Sequence, residues 1–353
     1  MKYLVMAGKA WKEAASLLII GKALQLGTKK SCEGPGVVNA DYRVVFLKRS
    51  TKNSFLPNMY VFPGGAVESS DFSSAWLDVF NKCGYSESKL KEIRTDAPPP
   101  RLYKDKPDHF IMPELGFRIA AIRETFEESG ILLAKHLPDN FLAPDDINEW
   151  RDIIYNDASQ FVKLFQEVGG CPAVWDLYEW ISYLTPTHMG TRRYNTAFYI
   201  TFMDKLPKVV LDDTEMSGLQ VSTPQSILEK WHKGHLGVAP PQLYELHRLL
   251  NFPHFDDLKK FAEERGRKGI DEYFLVRILT PEGLVSVLPG DDLYPTEVDY
   301  LGDKPQLEMD SSMEELRRSA SKLNRIESRS KSDIKLVVNI DPRYGHKRPL
   351  IVA

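Results

Sequence analysis

Cysteine is scarce in this sequence: Cys32, Cys83 and Cys171 are the three in a chain of 353 residues. They are far apart, odd in number and in no C-x-x-C spacing, so neither a disulfide framework nor a cysteine-built zinc site is indicated, and a reducing compartment is the default expectation. Charge of one sign is lacking as well. With 46 Lys and Arg against 49 Asp and Glu the formal net charge is −3, which gives no basic field of the kind that announces a nucleic-acid binder. No stable nucleic-acid partner is therefore expected, and an anionic ligand must be held by local groups and by metal. Long apolar runs are also missing. The segment Ala14-Ala15-Ser16-Leu17-Leu18-Ile19-Ile20 falls far short of the roughly 18 residues a membrane span needs, so no transmembrane helix is expected. Lys2, Lys9, Lys12 and Lys22 give the start a basic cast that raises the question of a cleavable presequence. Trp11 to Ile20 reads equally well as a buried strand, however, and a core that begins near residue 12 leaves little to remove.

The 42% hydrophobic and 27% charged composition is that of a globular protein able to bury a core, and the length fits one large domain with insertions or two domains. Strand-like runs at 14–20, 42–48 and 59–62 precede a Gly-Gly turn, with Tyr42–Leu47 read as the hairpin partner of the first run across a loop containing Gly34, Pro35 and Gly36. The pattern Phe117-Ile119-Ala120-Ile122-Phe126 is helical. Between them, residues 72–112 run from an amphipathic stretch (Phe72, Trp76, Val79, Phe80) to Pro98-Pro99-Pro100 and look like an insertion packed over the core. Residues 138–176 carry helical signals, with Asp145 or Asp146 as N-cap candidates. Strands at 178–184 and 194–202, helices at about 224–233 and 241–250, and a strand at 273–276 follow. From Ser311 to Asp333 the chain is dense in Ser, Arg, Lys and Glu and reads as solvated. The order of elements is α/β (α+β), and no internal repeat is apparent.

Glu124, Glu127 and Glu128 stand at i, i+3 and i+4, so on a helix all three carboxylates emerge on one face within reach of one cation. Magnesium takes hard oxygen ligands and keeps several waters, which suits such a set. Arg123, four residues before Glu127, is placed to brace it, while Ile119, Ile122 and Phe126 form an apolar face that anchors the helix. A merely charged solvent face is the plainer alternative. Against it stand Phe62-Pro63-Gly64-Gly65-Ala66-Val67-Glu68 upstream and Ser129-Gly130-Ile131 downstream, whose glycines permit tight backbone turns beside a phosphate-sized cavity. His188 and the Trp231-His232-x-x-His235 segment lack the further ligands of a zinc site, and Ser129 has no G-x-S-x-G context for nucleophilic chemistry.

Together these residues resemble the signature of the Nudix hydrolases, G-x5-E-x7-R-E-U-x-E-E-x-G-U with U a bulky apolar residue. Its C-terminal half is matched from Arg123 to Ile131, except that Thr125 holds the first U. The N-terminal half starts at Gly65 and places Asp71 where the first Glu belongs, and 51 residues rather than seven then separate Asp71 from Arg123. Whether Asp71 joins the metal site is left open by that split. The interruption is similar to that of the peroxisomal coenzyme A diphosphatases of the type-19 group. The likeness extends through Trp11–Ala15, Phe55–Gly65, Thr185-Pro186, Arg193–Thr196, Ala239–Gln242 and Leu288-Pro289-Gly290-Asp291. Bacterial-type coenzyme A hydrolases carry an Arg and a Gly where this chain has Ser54 and Asn58.

The resemblance implies a Nudix α/β/α sandwich with a mixed sheet, in a domain spanning 8–252 with its insertion at about 72–112 and helical segment at about 138–176. Residues 253–353 would form a partly flexible C-terminal extension. It implies Mg²⁺ or Mn²⁺ held by Glu124, Glu127 and Glu128, with Glu124, Glu127 and Arg123 in the catalytic roles and Glu215 as a further candidate base. The implied reaction converts coenzyme A or acyl-CoA to 3′,5′-ADP and (acyl-)4′-phosphopantetheine. Gly64, Gly65, Arg193 and Tyr194 are the candidate substrate contacts, with Arg192, Lys48 and Arg49 as further cations for a 3′-phosphate and Phe198 as a further lining residue. The competing readings are a Nudix pyrophosphatase for capped RNA, NADH or a nucleotide sugar, and a Nudix module that only binds. The implied compartment is the peroxisome. Because Pro349–Ala353 lacks a Ser-Lys-Leu-like address, another route, the mitochondrion or the cytosol stays open, as does the oligomeric state.

Overall fold

Strand β1 (Lys12–Lys22) is buried on both faces along almost its whole length, and a strand of that kind belongs at the centre of a sheet covered on both sides. The computed structural model describes residues 11–23, 40–51, 55–95, 97–104, 111–137, 144–189, 192–207, 209–211, 215–330 and 333–351; Cys32, Ser54 and the Gly34–Gly36 loop lie outside them. In chain order β1 is followed by β2 (Tyr42–Arg49), β3 (Met59–Val61), β4 (Gly64–Ala66) and a 3-10 turn at Ser69–Phe72. Helices α1 (Ala75–Lys82), α2 (Glu87–Lys91) and α3 (Pro113–Ser129) come next. A ribbon of β5 (Ala134–Lys135) and β6 (Cys171–Pro172) brackets α4 (Pro144–Asn156) and α5 (Gln160–Val168). The chain then runs through β7 (Tyr178–Leu184), β8 (Tyr194–Met203), β9 (Met216–Ser222), α6 (Pro224–His232), β10 (Gly237–Val238), α7 (Pro240–Leu249), α8 (Phe255–Gly266) and β11 (Glu272–Phe274).

These strands form a mixed sheet in the order β10-β3-β2-β1-β8-β7-β11, with β4 added to β1 and β9 to β2. One edge of β1 runs parallel to β8 from Lys12↔Tyr194 to Gly21↔Met203. Its other edge is shared, Ile20–Lys22 pairing with β2 and Ala14–Ser16 with β4. The strands therefore part company midway along β1, and the Gly-Gly segment sits at that fork. Gly64 and Gly65 thus lie in a short strand, where the sequence suggested only a turn. A Cβ on Gly64 would stand 2.3 Å from the Ala15 carbonyl oxygen, and its φ of 146° is open to glycine alone. Period-two alternation sorts β1 into two cores. Ala15, Leu17 and Ile19 pack with Ile119, Ile122 and Phe126 of α3 and with Trp76, Phe80 and Phe161 of the inserted helices. Leu18 and Ile20 pack with Phe46, Trp180, Leu243 and Leu246 on the α7 side. The result is the expected α/β/α sandwich.

Helix α3 begins with Pro113 in its first turn, where a missing N–H costs nothing, and stops at Gly130, whose φ of 72° is the left-handed cap that glycine supplies. The inserted stretch is helical as expected. It also brings together two cysteines that sequence distance kept apart: Cys83 and Cys171 are both free, and burial, with Cys83 close by, pushes the Cys171 thiol up to about 12.

Beyond residue 252 the expectations need correcting. Strand β11 comes from the presumed extension yet pairs with β7 of the first sheet, Tyr273 opposite Tyr183. After it β12 (Val276–Thr280), β13 (Gly283–Val287), β14 (Leu307–Glu308), α9 (Met313–Arg318), β15 (Asn324–Ser328) and β16 (Ile334–Val338) build, among the described residues, a second sheet of five strands ordered β14-β12-β13-β15-β16. The polar stretch 311–333 is folded, although most of its charges, Glu314, Arg318 and Lys322 among them, stay at the surface as expected. Two of its arginines pair inward: Arg325, fully buried, donates to both carboxylate oxygens of Asp291 at 2.7 and 2.6 Å, and Arg317 pairs with buried Glu327. Charge density misleads here because paired arginines are compatible with burial. One face of this sheet packs on α9 through Ile278, Val285, Met313 and Leu316. The other face joins the main core through Leu288, Ile326 and Leu336, and Tyr244 of α7 donates to Asn324 at 2.9 Å.

Candidate active site

Three carboxylates gather around a single guanidinium at the fork beside β4, and a fourth, that of Glu128, stands close by. Arg123 on α3 is 2% exposed. Its Nε and Nη2 donate to Asp71 at 2.8 and 3.0 Å, its Nη1 donates to Glu124 at 2.8 Å and Glu127 at 2.7 Å, and Nη2 also reaches the Ala66 carbonyl at 2.9 Å. Those five bonds use every donor a guanidinium has. Arg123 thus braces these acids, as its place four residues before Glu127 suggested, with each of its N–H groups engaged. Asp71, equally buried, also accepts from the Glu68 N–H at 2.8 Å. The residue standing in the place of the signature's first Glu therefore holds Arg123, across a gap of 51 residues that the fold closes.

Glu128 points to the other side of the fork, where the Gly64 N–H donates to it at 2.9 Å. Burial drives its carboxyl well above the usual range and the neighbouring charge of Glu124 adds to the rise. The Glu124 carboxyl is pushed up to about 8, first by burial and then by Glu127 and Asp71, with Arg123 opposing. Glu127 is raised by burial too, against Arg123. Glu215, the further candidate base, is close enough to Glu127 and Glu128 to raise both, and Tyr155 donates to it at 3.4 Å. So many acids around one committed arginine leave an excess of buried negative charge, which is what a hard divalent cation relieves. Among the described residues no three acidic, His or Cys groups already encircle one point. Glu124 and Glu127 lean on Arg123 and Glu128 on Gly64. A magnesium-like ion, which keeps most of its waters and takes one or two carboxylates, fits this donor set.

The carboxylates open onto a cleft of about 990 Å³ lined by Gly64, Gly65, Arg49, Phe55, Tyr194, Phe198, Arg192 and Gln242 among others, near the upper end of the sizes that small-molecule sites occupy. Strand alternation decides which candidate cations reach it. Tyr194, Thr196 and Phe198 face the cleft, so Arg193, one residue out of step, turns away: its Nε donates to the Thr185 carbonyl at 3.0 Å and its guanidinium lies near Trp11 and Phe274. Of the two arginines it is Arg192 that lines the cleft. On β2 it is Arg49 rather than Lys48 that lines the wall, just where the register against β9 shifts. Tyr194 packs on Phe55 with ring centroids 5.1 Å apart. Gln242, buried at the start of α7 with its Oε1 unpartnered, is a lining residue that sequence reasoning missed; its place in Ala239-Pro240-Pro241-Gln242 was the available signal. Ser129 is a helix-end residue, donating to Thr125 O at 2.5 Å and accepting from the Ile131 N–H at 3.2 Å.

Residues 11–249 match the family model of the NUDT19 Nudix domain, and residues 277–339 match that of the NUDT19 C-terminal domain. The chain belongs to the NUDT19 family of Nudix hydrolases. It is 35% identical to a Gallus gallus protein named acyl-coenzyme A diphosphatase NUDT19, over 97% of this chain and 95% of that one. The Homo sapiens protein of the same name is 30% identical over 96% of this chain and 94% of its own. Among solved structures, a Nudix hydrolase from Alicyclobacillus acidocaldarius is 21% identical with a TM-score of 0.49, covering 71% of this chain and 96% of that one. As a Nudix hydrolase the chain is an enzyme of a superfamily that uses divalent metal ions. Asn58, standing where bacterial-type coenzyme A hydrolases have Gly, keeps a φ of 61°, a left-handed conformation that Asn tolerates better than other non-glycine residues.

Two expected results follow from this geometry. In Gly65→Ala the new Cβ would lie 2.2 Å from Glu124 Oε2, so the carboxylate must move. A displacement of that size at a reacting centre costs on the order of a hundred-fold in kcat, to be read from steady-state kinetics at saturating metal. The second concerns pH. Since the Glu124 carboxyl rises from 4.5 to about 8 on folding, the folded chain between those values keeps a proton that the unfolded chain has released. Stability of the metal-free protein therefore falls as pH rises through that window. Thermal unfolding in EDTA is expected to give a lower Tm at pH 8 than at pH 6, with a shallower slope in Glu124→Gln and a larger rise on adding Mg²⁺ at pH 8. A Tm that climbs with pH in EDTA would contradict the buried acid.

Proposed function

We propose that the enzyme hydrolyses the diphosphate linkage of coenzyme A and acyl-CoA, giving 3′,5′-ADP and (acyl-)4′-phosphopantetheine, with Mg²⁺ or Mn²⁺ as the cation. The observation that carries it is the excess of buried carboxylate at the fork of β1, open to a long cleft with arginines and apolar side chains on its walls. Relatives at 30–35% identity over nearly the whole chain bear the name acyl-coenzyme A diphosphatase, which supports this choice over capped RNA, NADH or nucleotide sugars. A module that only binds would have no use for so costly a cluster.

Glu124 and Glu128 are the proposed principal ligands and Glu127 completes the set. A bound divalent cation supplies charge neutralisation on the phosphoryl oxygens and a lowered pKa for its water. Arg123, fixed by Asp71, freezes the rotamers of Glu124 and Glu127, and the Gly64 N–H does the same for Glu128. Glu215, beside Glu127 and Glu128, is our candidate to take the proton of the attacking water. Tyr194 and Phe198 offer aromatic faces to adenine or to the pantetheine arm. Incubation with coenzyme A and Mg²⁺, then Mn²⁺, followed by chromatography tests the reaction: 3′,5′-ADP with 4′-phosphopantetheine, lost in EDTA, supports it. Cleavage of NADH or capped RNA but not coenzyme A would refute the substrate. Residence in the peroxisome is proposed on family resemblance alone, and organelle fractionation decides between it, the mitochondrion and the cytosol.

A further inference from the structure

The far wall of the cleft is not made by the Nudix core. Arg277 on β12, Leu284 and Ser286 on β13, Ile326 and Ser328 on β15 and Ile334 on β16 line it, and they share one face of the second sheet. The ladder sets Arg277 opposite Ser286, Ser286 opposite Ile326, and Ser328 opposite Ile334. Part of that face is covered by α7 and its neighbours; the remainder is the surface that meets the cleft.

On this wall Arg277 is anomalous. Its Nη1 donates to the His188 carbonyl at 2.7 Å, and no carboxylate among the described residues pairs with it. Burial alone acts on its guanidinium and lowers its pKa, with no acid nearby to oppose the shift. The sheet's other arginine among the described residues, Arg325, is answered by Asp291, and nearby Arg317 and Arg329 are answered by Glu327 and Glu282. A half-buried cation without a counter-charge, beside a serine hydroxyl in a cleft that the carboxylates also line, is suited to an anion brought in by the ligand.

We propose that Arg277, with Ser286 beside it, binds a phosphomonoester of the substrate remote from the scissile diphosphate, so that the second sheet completes the substrate site. This assignment rests on the coenzyme A diphosphatase proposal, under which the phosphomonoester is the ribose 3′-phosphate. The guanidinium supplies paired N–H donors with the geometry of two phosphate oxygens, and Ser286 a third. Arg192, on the same cleft, adds a second positive charge.

The test compares coenzyme A with 3′-dephospho-coenzyme A in full-length protein. Arg277→Ala is expected to raise KM for coenzyme A by roughly ten- to a hundred-fold, the loss that follows from removing a charge-assisted contact. KM for dephospho-coenzyme A and kcat on both substrates should change little. Arg277→Lys should recover part of the loss, and Ser286→Ala should show a smaller, equally selective effect. Equal losses on both substrates would overturn the proposal, because a variant that merely loosens the His188 loop cannot sense the 3′-phosphate. Wild-type enzyme with the same KM for both would also overturn it while leaving the diphosphatase activity standing. Wild-type enzyme that cleaves neither substrate refutes both, and that control alone separates the two failures.

Discussion

Glu128→Gln is expected to reduce kcat by at least about a thousand-fold with the fold intact. The substitution keeps volume and an oxygen acceptor for the Gly64 N–H, which now holds Glu128 at 2.9 Å, so structure has little reason to change. What disappears is the negative charge. Losses of about a hundred- to a thousand-fold attend removal of one neutral donor from a preorganised site, and a ligand charge on a divalent cation counts for more. Removing a buried acid that repels Glu124 should also raise the Tm of metal-free protein by a few degrees. Loss of turnover together with a raised Tm in EDTA marks a site strained for function. A variant that keeps wild-type kcat would remove Glu128 from the metal set, and with it the proposed ligand arrangement.

Arg123→Met is expected to do the opposite, damaging the fold before the chemistry can be measured. Arg123 satisfies Asp71, Glu124 and Glu127 at once, and Asp71 is 1% exposed. Breaking a buried pair by removing one partner costs about 3–5 kcal/mol because the other charge stays buried. Three acids share this partner, so the upper end applies. Against a typical domain stability of about 5–15 kcal/mol, chemical denaturation should show a large drop in midpoint or an unfolded chain. The double variant Arg123→Met, Asp71→Leu should recover part of the loss, because it removes the orphaned acid as well. If Arg123→Met alone kept the wild-type midpoint, the five-bond brace would have no energetic meaning.

The catalytic helix was legible from sequence because its signals are local. Spacing put Glu124, Glu127 and Glu128 on one face, and Gly130 marked the end. The buried strands at 14–20 and 42–48 were equally plain, since continuous apolar runs leave few alternatives. What escaped was non-local. Asp71 could be matched by position to the signature, but only the fold shows that it meets Arg123. Which of Arg192 and Arg193, and of Lys48 and Arg49, lines the cleft depends on the position of a cleft that no single strand reveals. The second sheet was hidden because its arginines find their acids across strands, as Arg325 finds Asp291, and an ion pair of that kind looks in sequence like a solvated run. The contribution of β12 to the cleft had no local signature at all.

The pairing of Asp71 with Arg123 has a consequence for how this chain could have acquired its insertion. The two residues fasten the ends of a 51-residue excursion that in the uninterrupted signature is seven residues long. Loop closure grows only logarithmically, as about 0.6 kcal/mol per doubling, so the longer excursion costs roughly 2 kcal/mol more than the short one. The inserted helices recover that sum by burying Trp76, Val79 and Phe80. Once the clasp exists, what lies between its ends is nearly free to change in length. The position of the break in the motif thus marks a place where evolution can splice new surface beside the catalytic carboxylates without disturbing them.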